Sequence, residues 1–226
     1  MMIEVHHLEH SRSQRIIWLL EELGLPYKVT RYARDPKTYL APPELLKIHP
    51  LGKSPVITDG DITVAESGAI VEYLIDKAGG KMRPAAGTQA HRDYTYWMHF
   101  AEGTAMPPLV MTLVFNKIEN APLPALLKPI VLPIARGISK QVKTSFINPN
   151  LEKQFAYIEG VLSKNEWFCG NEMTGADFMM SFPLEAAMSR AESINSMPKI
   201  AAFVKRIHAM PSYKKALEVG GPYNYA

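Results

Sequence analysis

The residues able to do chemistry fall in a few places along the chain. Ser11 stands between a short β-prone run, Ile3–Leu8, and a helical pattern over Ser13–Leu23. A side chain there faces the carboxyl edge of a parallel sheet, where open α/β folds place ligands, and lies near the positive end of a helix dipole. Its hydroxyl can donate to an anion. Equally, Ser11 or Ser13 can cap the helix, since serine is a preferred N-cap. Glu66-Ser67-Gly68 opens a second helix directly after a strand. Free N–H groups at such a start bind carboxylates, and the Ser67 hydroxyl adds a donor; here too the alternative is an N-cap.

Other reactive types point to structure. His6 and His7 are adjacent in a strand and project to opposite faces, so they cannot share one ion. Neither acid nor cysteine near them or His10 completes a metal set, so no metal is expected. Cys169, in Trp167-Phe168-Cys169-Gly170, reads as a packed thiol among aromatics. Thr174-Gly175-Ala176-Asp177 fits the capping box, which makes Asp177 a folding device instead of a catalytic acid.

The elements that position these residues divide in two. Ile3–Leu8, Ser13–Leu23 and Tyr27–Tyr32 alternate strand, helix and strand, with Gly24 placed to end the helix. Such closely spaced elements imply a right-handed parallel crossover. A short helix over Glu44–Ile48 follows. Strands Ser54–Ile57 and Ile62–Ala65 flank an Asp59-Gly60 hairpin signal, and Ser67–Lys77 is helical. The order βαβ-α-ββα describes a small α/β sheet domain over residues 1–80. Residues 81–88 read as a linker. Residues 89–226 read as all-helical. Gln89–Asn116 forms a helix that Pro107-Pro108 ends or kinks, and Leu151–Lys164, Ala176–Arg190, Lys199–Ala209 and Ser212–Val219 are further helices. The run around Leu123–Ile138 is broken by Pro124, Pro129 and Pro133, and no helix is assigned there.

Composition bounds the function classes. With 226 residues, 47% apolar and 21% charged, the chain suits a globular protein with a substantial core. A net charge of +3 with scattered lysines and arginines argues against nucleic acid. No apolar run reaches the roughly 18 residues of a membrane span. The first residues show no secretory pattern. A single cysteine excludes an internal disulfide and fits a cytoplasmic setting.

Four segments in order resemble the glutathione S-transferase family: His7 to Arg15, His49-Pro50-Leu51-Gly52-Lys53-Ser54-Pro55-Val56, Ala65-Glu66-Ser67-Gly68-Ala69-Ile70, and Trp167 to Asp177. The nearest look is to bacterial and fungal members with a catalytic serine. Residues 118–150 match poorly and read as a variable insertion. The resemblance implies a thioredoxin-like domain followed by an all-α domain, with glutathione as co-substrate and no metal. Ser11, four residues before Arg15, would activate the glutathione thiol. Lys53 would reach a carboxylate and Ser54 would offer its backbone to the cysteinyl part. Pro55 would be the cis-proline, and Glu66 with Ser67 would hold the γ-glutamyl end. His10, Met106 and Phe115 would border the electrophile. The implied activity is transfer of the glutathione sulfur to a small hydrophobic electrophile, with peroxide reduction on the side. A glutathione-dependent isomerase, a disulfide reductase or a non-catalytic adaptor are the alternatives. A homodimer and a role in detoxification go with the family.

Overall fold

The structure, a computed structural model, describes residues 2–189, 194 and 196–225. Strands β1 (Ile3–Leu8), β2 (Tyr27–Tyr32), β3 (Val56–Asp59) and β4 (Ile62–Ala65) form one sheet in the order β2-β1-β3-β4. β1 runs parallel to β2, with Val5 opposite Val29, and antiparallel to β3, with Val5 opposite Ile57. Between β1 and β2 lies α1 (Gln14–Leu23), closed by Gly24 at φ 67°, where a side chain would be strained. β3 begins at Val56, two residues later than the sequence suggests, because Pro55 has no N–H to give to a ladder. The Ser54–Pro55 peptide is cis, as the family resemblance implies. Gly60 turns the β3–β4 hairpin at φ 63°. A single 3₁₀ turn, Pro43–Lys47, replaces the short helix expected at Glu44–Ile48.

α2 (Ser67–Lys77) completes this thioredoxin-like domain, and the rest is helical: α3 (Gln89–Phe100), α4 (Met106–Glu119), α5 (Lys128–Val142), α6 (Asn148–Leu162), α7 (Gly175–Met188), α8 (Pro198–Ala209) and α9 (Pro211–Gly220). Two expectations need correction. The interruption expected at Pro107-Pro108 lies just ahead of them. A wide π turn over Ala101–Ala105 separates α3 from α4, and the prolines sit in the first turn of α4. The proline-spaced segment is also helical. In α5, Pro129 lies in the first turn and only Pro133 interrupts the ladder. The expected end of α7 at Arg190 lies outside the described residues.

α7 joins the two halves. Its residues from Gly175 to Ala187 are buried all round. Gly175 has no room for a side chain: an added Cβ would stand 2.6 Å from Ile75 Cδ1 and 2.9 Å from Val71 Cγ1. Phe178 meets Trp18 of α1 with ring centroids 4.1 Å apart. The turn between β1 and α1 is therefore clamped from beneath by the same helix that anchors the second domain.

Candidate active site

A cavity of about 250 Å³ opens where the β1–α1 turn, the loop before β3 and the start of α2 converge. Lys53, Ser54, Pro55, Glu66 and Ser67 all line it. Ser54 spends its side chain on β1: the hydroxyl donates to the His6 carbonyl at 2.8 Å and accepts the Leu8 N–H at 3.2 Å. What remains for a ligand is the Ser54 backbone. Ser67 is the first residue of α2, so its neighbouring N–H groups aim outward with the helix dipole behind them. Glu66 holds φ 71° and ψ 128°, a costly conformation for any residue with a Cβ. Strain of this kind, maintained beside a cavity, marks a residue whose direction matters.

Two residues that sequence reasoning left out close the cavity on the helical side. They are Arg12 and Glu102. The Arg12 Nε donates to both Glu102 carboxylate oxygens, at 2.9 and 3.0 Å. Glu102 also accepts from Arg15, whose other amino group reaches the Met179 carbonyl at 2.7 Å. Burial works to raise the Glu102 pKa, but Arg15 and Arg12 outweigh it and hold the carboxyl below its usual range. One carboxylate between two guanidiniums leaves the cluster with a net positive charge.

Ser11 stands on the turn between β1 and α1. It is buried and does not line the cavity. Its Oγ lies 2.7 Å from the Ser13 hydroxyl and accepts the Ser13 N–H at 3.3 Å. Ser13 in turn meets His7 Nδ1 at 2.8 Å. Burial, with Arg31 and His10 nearby, pushes the His7 pKa down to about 4, so the ring is neutral. His6 is bonded separately to Tyr32 and Thr58, and among the described residues no group of three acids, histidines and cysteines could hold a metal.

Matches to family models cover most of the chain. The glutathione S-transferase N-terminal domain aligns with residues 2–76 and the C-terminal domain with residues 133–219. Glutathione S-transferase 3 of Schizosaccharomyces pombe is 35% identical over 96% of this chain and 87% of its own length. Glutathione S-transferase 1 of Saccharomyces cerevisiae is 32% identical over 96% of this chain and 94% of its own. A solved glutathione S-transferase from Actinobacillus pleuropneumoniae superposes with a TM-score of 0.78 at 32% identity, covering 99% of this chain and 95% of that one. The chain belongs to the glutathione S-transferase family.

In this transferase the residues expected at the electrophile are not gathered at the cavity. Met106 is packed into the core. Phe115 lines a separate apolar groove between α4 and α5, with Ile118, Val131 and Ile134. His10 sits at φ 50° on the turn, and its Nδ1 accepts the Asn224 N–H at 3.2 Å. Cys169 is half-buried among aromatics, and burial pushes its thiol up to about 12, so it is a packing residue. The capping box at Thr174 and Asp177 is present, as read from the sequence.

Proposed function

We propose that this transferase binds glutathione in the cavity between the cis-Pro55 loop and α2, and presents its sulfur as a thiolate to a small hydrophobic electrophile. The observation that carries the reading is convergence. Five residues from two separate sequence motifs meet on one cavity wall, and their charges complement the tripeptide. Lys53 suits the glycyl carboxylate, Glu66 the γ-glutamyl ammonium, and the Ser67 helix start the γ-glutamyl carboxylate. The Ser54 backbone suits the cysteinyl amide. That arrangement carries the sulfur toward the β1–α1 turn. Holding the tripeptide in this way supplies orientation before the reaction begins.

The chemistry follows from the thiol. A free thiol near pKa 8.5 is only about 3% ionised at neutral pH, and the thiolate is the nucleophile. On an aryl halide the sulfur forms the new bond to carbon, the halide leaves with its electron pair, and the thiol proton passes to solvent. The same thiolate accounts for peroxide reduction as a side activity, and detoxification in the cytoplasm is the setting that goes with it. Disulfide exchange through Cys169 is disfavoured, because burial keeps that thiol protonated.

Calorimetric titration with glutathione, paired with conjugation of a generic aryl halide, tests the reading. Binding at one site per chain with glutathione-dependent conjugation is expected. Binding without any turnover would identify an adaptor, and the absence of binding would end the proposal.

A homodimer is part of the same reading. Val114 and Ile118 of α4 and Ile130, Ile134 and Ile138 of α5 leave large apolar side chains exposed. Such a face is unusual for a monomer in water and marks an interaction surface. Light scattering should give twice the 25.3 kDa chain mass, and Ile134→Glu should shift the population toward the monomer. A monomeric wild type would refute it.

A further inference from the structure

We propose that Arg12, in place of Ser11, is the side chain that holds the glutathione sulfur as an anion. The inference rests on the glutathione reading of the cavity given above and names the group that activates the thiol there.

The first observation is that the Ser11 hydroxyl is engaged inside the turn. A hydroxyl has one hydrogen to give. The Ser11 Oγ lies 2.7 Å from the Ser13 hydroxyl and accepts the Ser13 N–H at 3.3 Å. The Ser13 hydroxyl in turn donates to the Leu8 carbonyl at 3.3 Å and lies 2.8 Å from His7 Nδ1. The chain Ser11–Ser13–His7 runs inward beneath the turn. All three of its members are buried. To reach a thiolate, the Ser11 hydroxyl would have to turn away from the Ser13 hydroxyl in a buried place. It is the keystone of the turn.

The second observation is that Arg12 is aimed and preorganised. It lines the cavity beside Ser54, Pro55 and Ser67, while Ser11 does not. Glu102 grips it through Nε on both oxygens, and its guanidinium lies over the Phe182 ring at 5.1 Å. Among the described residues no acceptor is bonded to its two terminal amino groups. Glu102 is itself held by Arg15, so it cannot follow Arg12 into solvent. A guanidinium stays protonated throughout the working range and has donors to spare. A cation within about 4–6 Å lowers the pKa of an acid by about one to three units. Applied to a thiol near 8.5, that brings most of the bound sulfur to the thiolate at neutral pH. A serine hydroxyl contributes a single neutral donor and no charge.

The test reads the sulfur itself. Thiolate absorbance of enzyme-bound glutathione is titrated against pH in the wild type, Ser11→Ala, Arg12→Met and Arg12→Lys, with calorimetric glutathione affinity measured on each. Arg12→Met is expected to raise the bound thiol pKa by about one unit or more, with conjugation falling about tenfold at pH 6.5 and recovering at pH 9. Arg12→Lys should restore part of the shift, which also shows that the fold survives at this position. Ser11→Ala should move the thiol pKa by less than Arg12→Met does.

A larger shift in Ser11→Ala than in Arg12→Met overturns the proposal. So does an Arg12→Met protein whose affinity falls tenfold while the pKa stays, because Arg12 would then be clamping a glutathione carboxylate. Either result leaves the glutathione site standing. Failure of the wild type to bind glutathione would remove both.

Discussion

Glu66→Gly is expected to weaken glutathione binding about tenfold or more while leaving the melting temperature unchanged or slightly raised. The two halves of this result have separate causes. A carboxylate paired with the γ-glutamyl ammonium is a charge-assisted hydrogen bond worth about 1.5–3 kcal/mol, or roughly 10- to 150-fold in affinity. Glu66 is partly exposed, which argues for the lower end of that range. The backbone acts in the other direction. A residue with a Cβ at φ 71° stores about 1–3 kcal/mol of strain, and glycine removes it. Against this stands the extra freedom of glycine in the unfolded chain, about 0.5–1 kcal/mol. The balance is neutral to mildly stabilising. Calorimetry with glutathione and thermal unfolding followed by circular dichroism measure the two effects on one sample. Unchanged affinity would move the γ-glutamyl ammonium away from Glu66. A clear fall in melting temperature would show that Glu66 makes a structural contact that outweighs its strain.

Glu66 also illustrates what can be read from a sequence. Its place before Ser67-Gly68, directly after a strand, is a local pattern, and β4 and α2 begin and end at the residues their periodicity marks. β1, β2 and the Gly24 stop are legible for the same reason: the signal lies in neighbours along the chain. Prolines mislead where their context is hidden. Pro129 and Pro133 look like breakers, but one falls in a first turn, and further along α5 the segment is held against α4. There the buried Ser139 bonds Glu119 and Lys143 reaches Glu119 and Asn116. Tertiary contacts outweigh a single lost hydrogen bond.

Where a motif carries its own geometry, as with Lys53, Ser54 and Pro55, the sequence is enough to bring its residues to one cavity. Geometry that depends on distant partners leaves no such local signal. Arg12 and Glu102 are 90 positions apart, and no spacing rule joins them. Ser11 satisfies every local criterion for a ligand hydroxyl, and only the folded chain brings Ser13, and His7 behind it, beneath that hydroxyl. Phe115 is apolar and lies on a helix of the second domain, yet helical periodicity does not say which groove a face will meet.

Asp177→Ala is expected to destabilise the protein by about 3–5 kcal/mol and to lower its melting temperature by about 10 °C or more. The carboxylate is wholly buried at the third position of α7. It accepts the Thr174 N–H at 2.7 Å, the Phe168 N–H at 2.9 Å and the Thr174 hydroxyl at 3.1 Å. Burial pushes its pKa up to about 6, with the Phe168 and Thr174 donors pulling it back, so it is ionised at neutral pH. Alanine would leave two N–H groups buried without acceptors, at about 1–3 kcal/mol each, and open a small void besides. The damage would not stay local. Asp177 ties the Trp167–Gly170 segment to α7, and Phe168 packs there on Trp97 and Phe203. α7 in turn carries Met179, whose carbonyl holds Arg15, and Phe182, over which Arg12 rests. Activity at 25 °C should therefore fall faster than the folded fraction, because the Arg12–Glu102–Arg15 cluster loses its floor before the domain unfolds. Asp177→Asn should lie between, since its amide sets a second donor against the Thr174 N–H. Denaturant unfolding monitored beside the conjugation rate separates these outcomes. A loss under 1 kcal/mol in Asp177→Ala would show that solvent or a shifted loop can satisfy the freed donors, and that α7 is not the brace of the site.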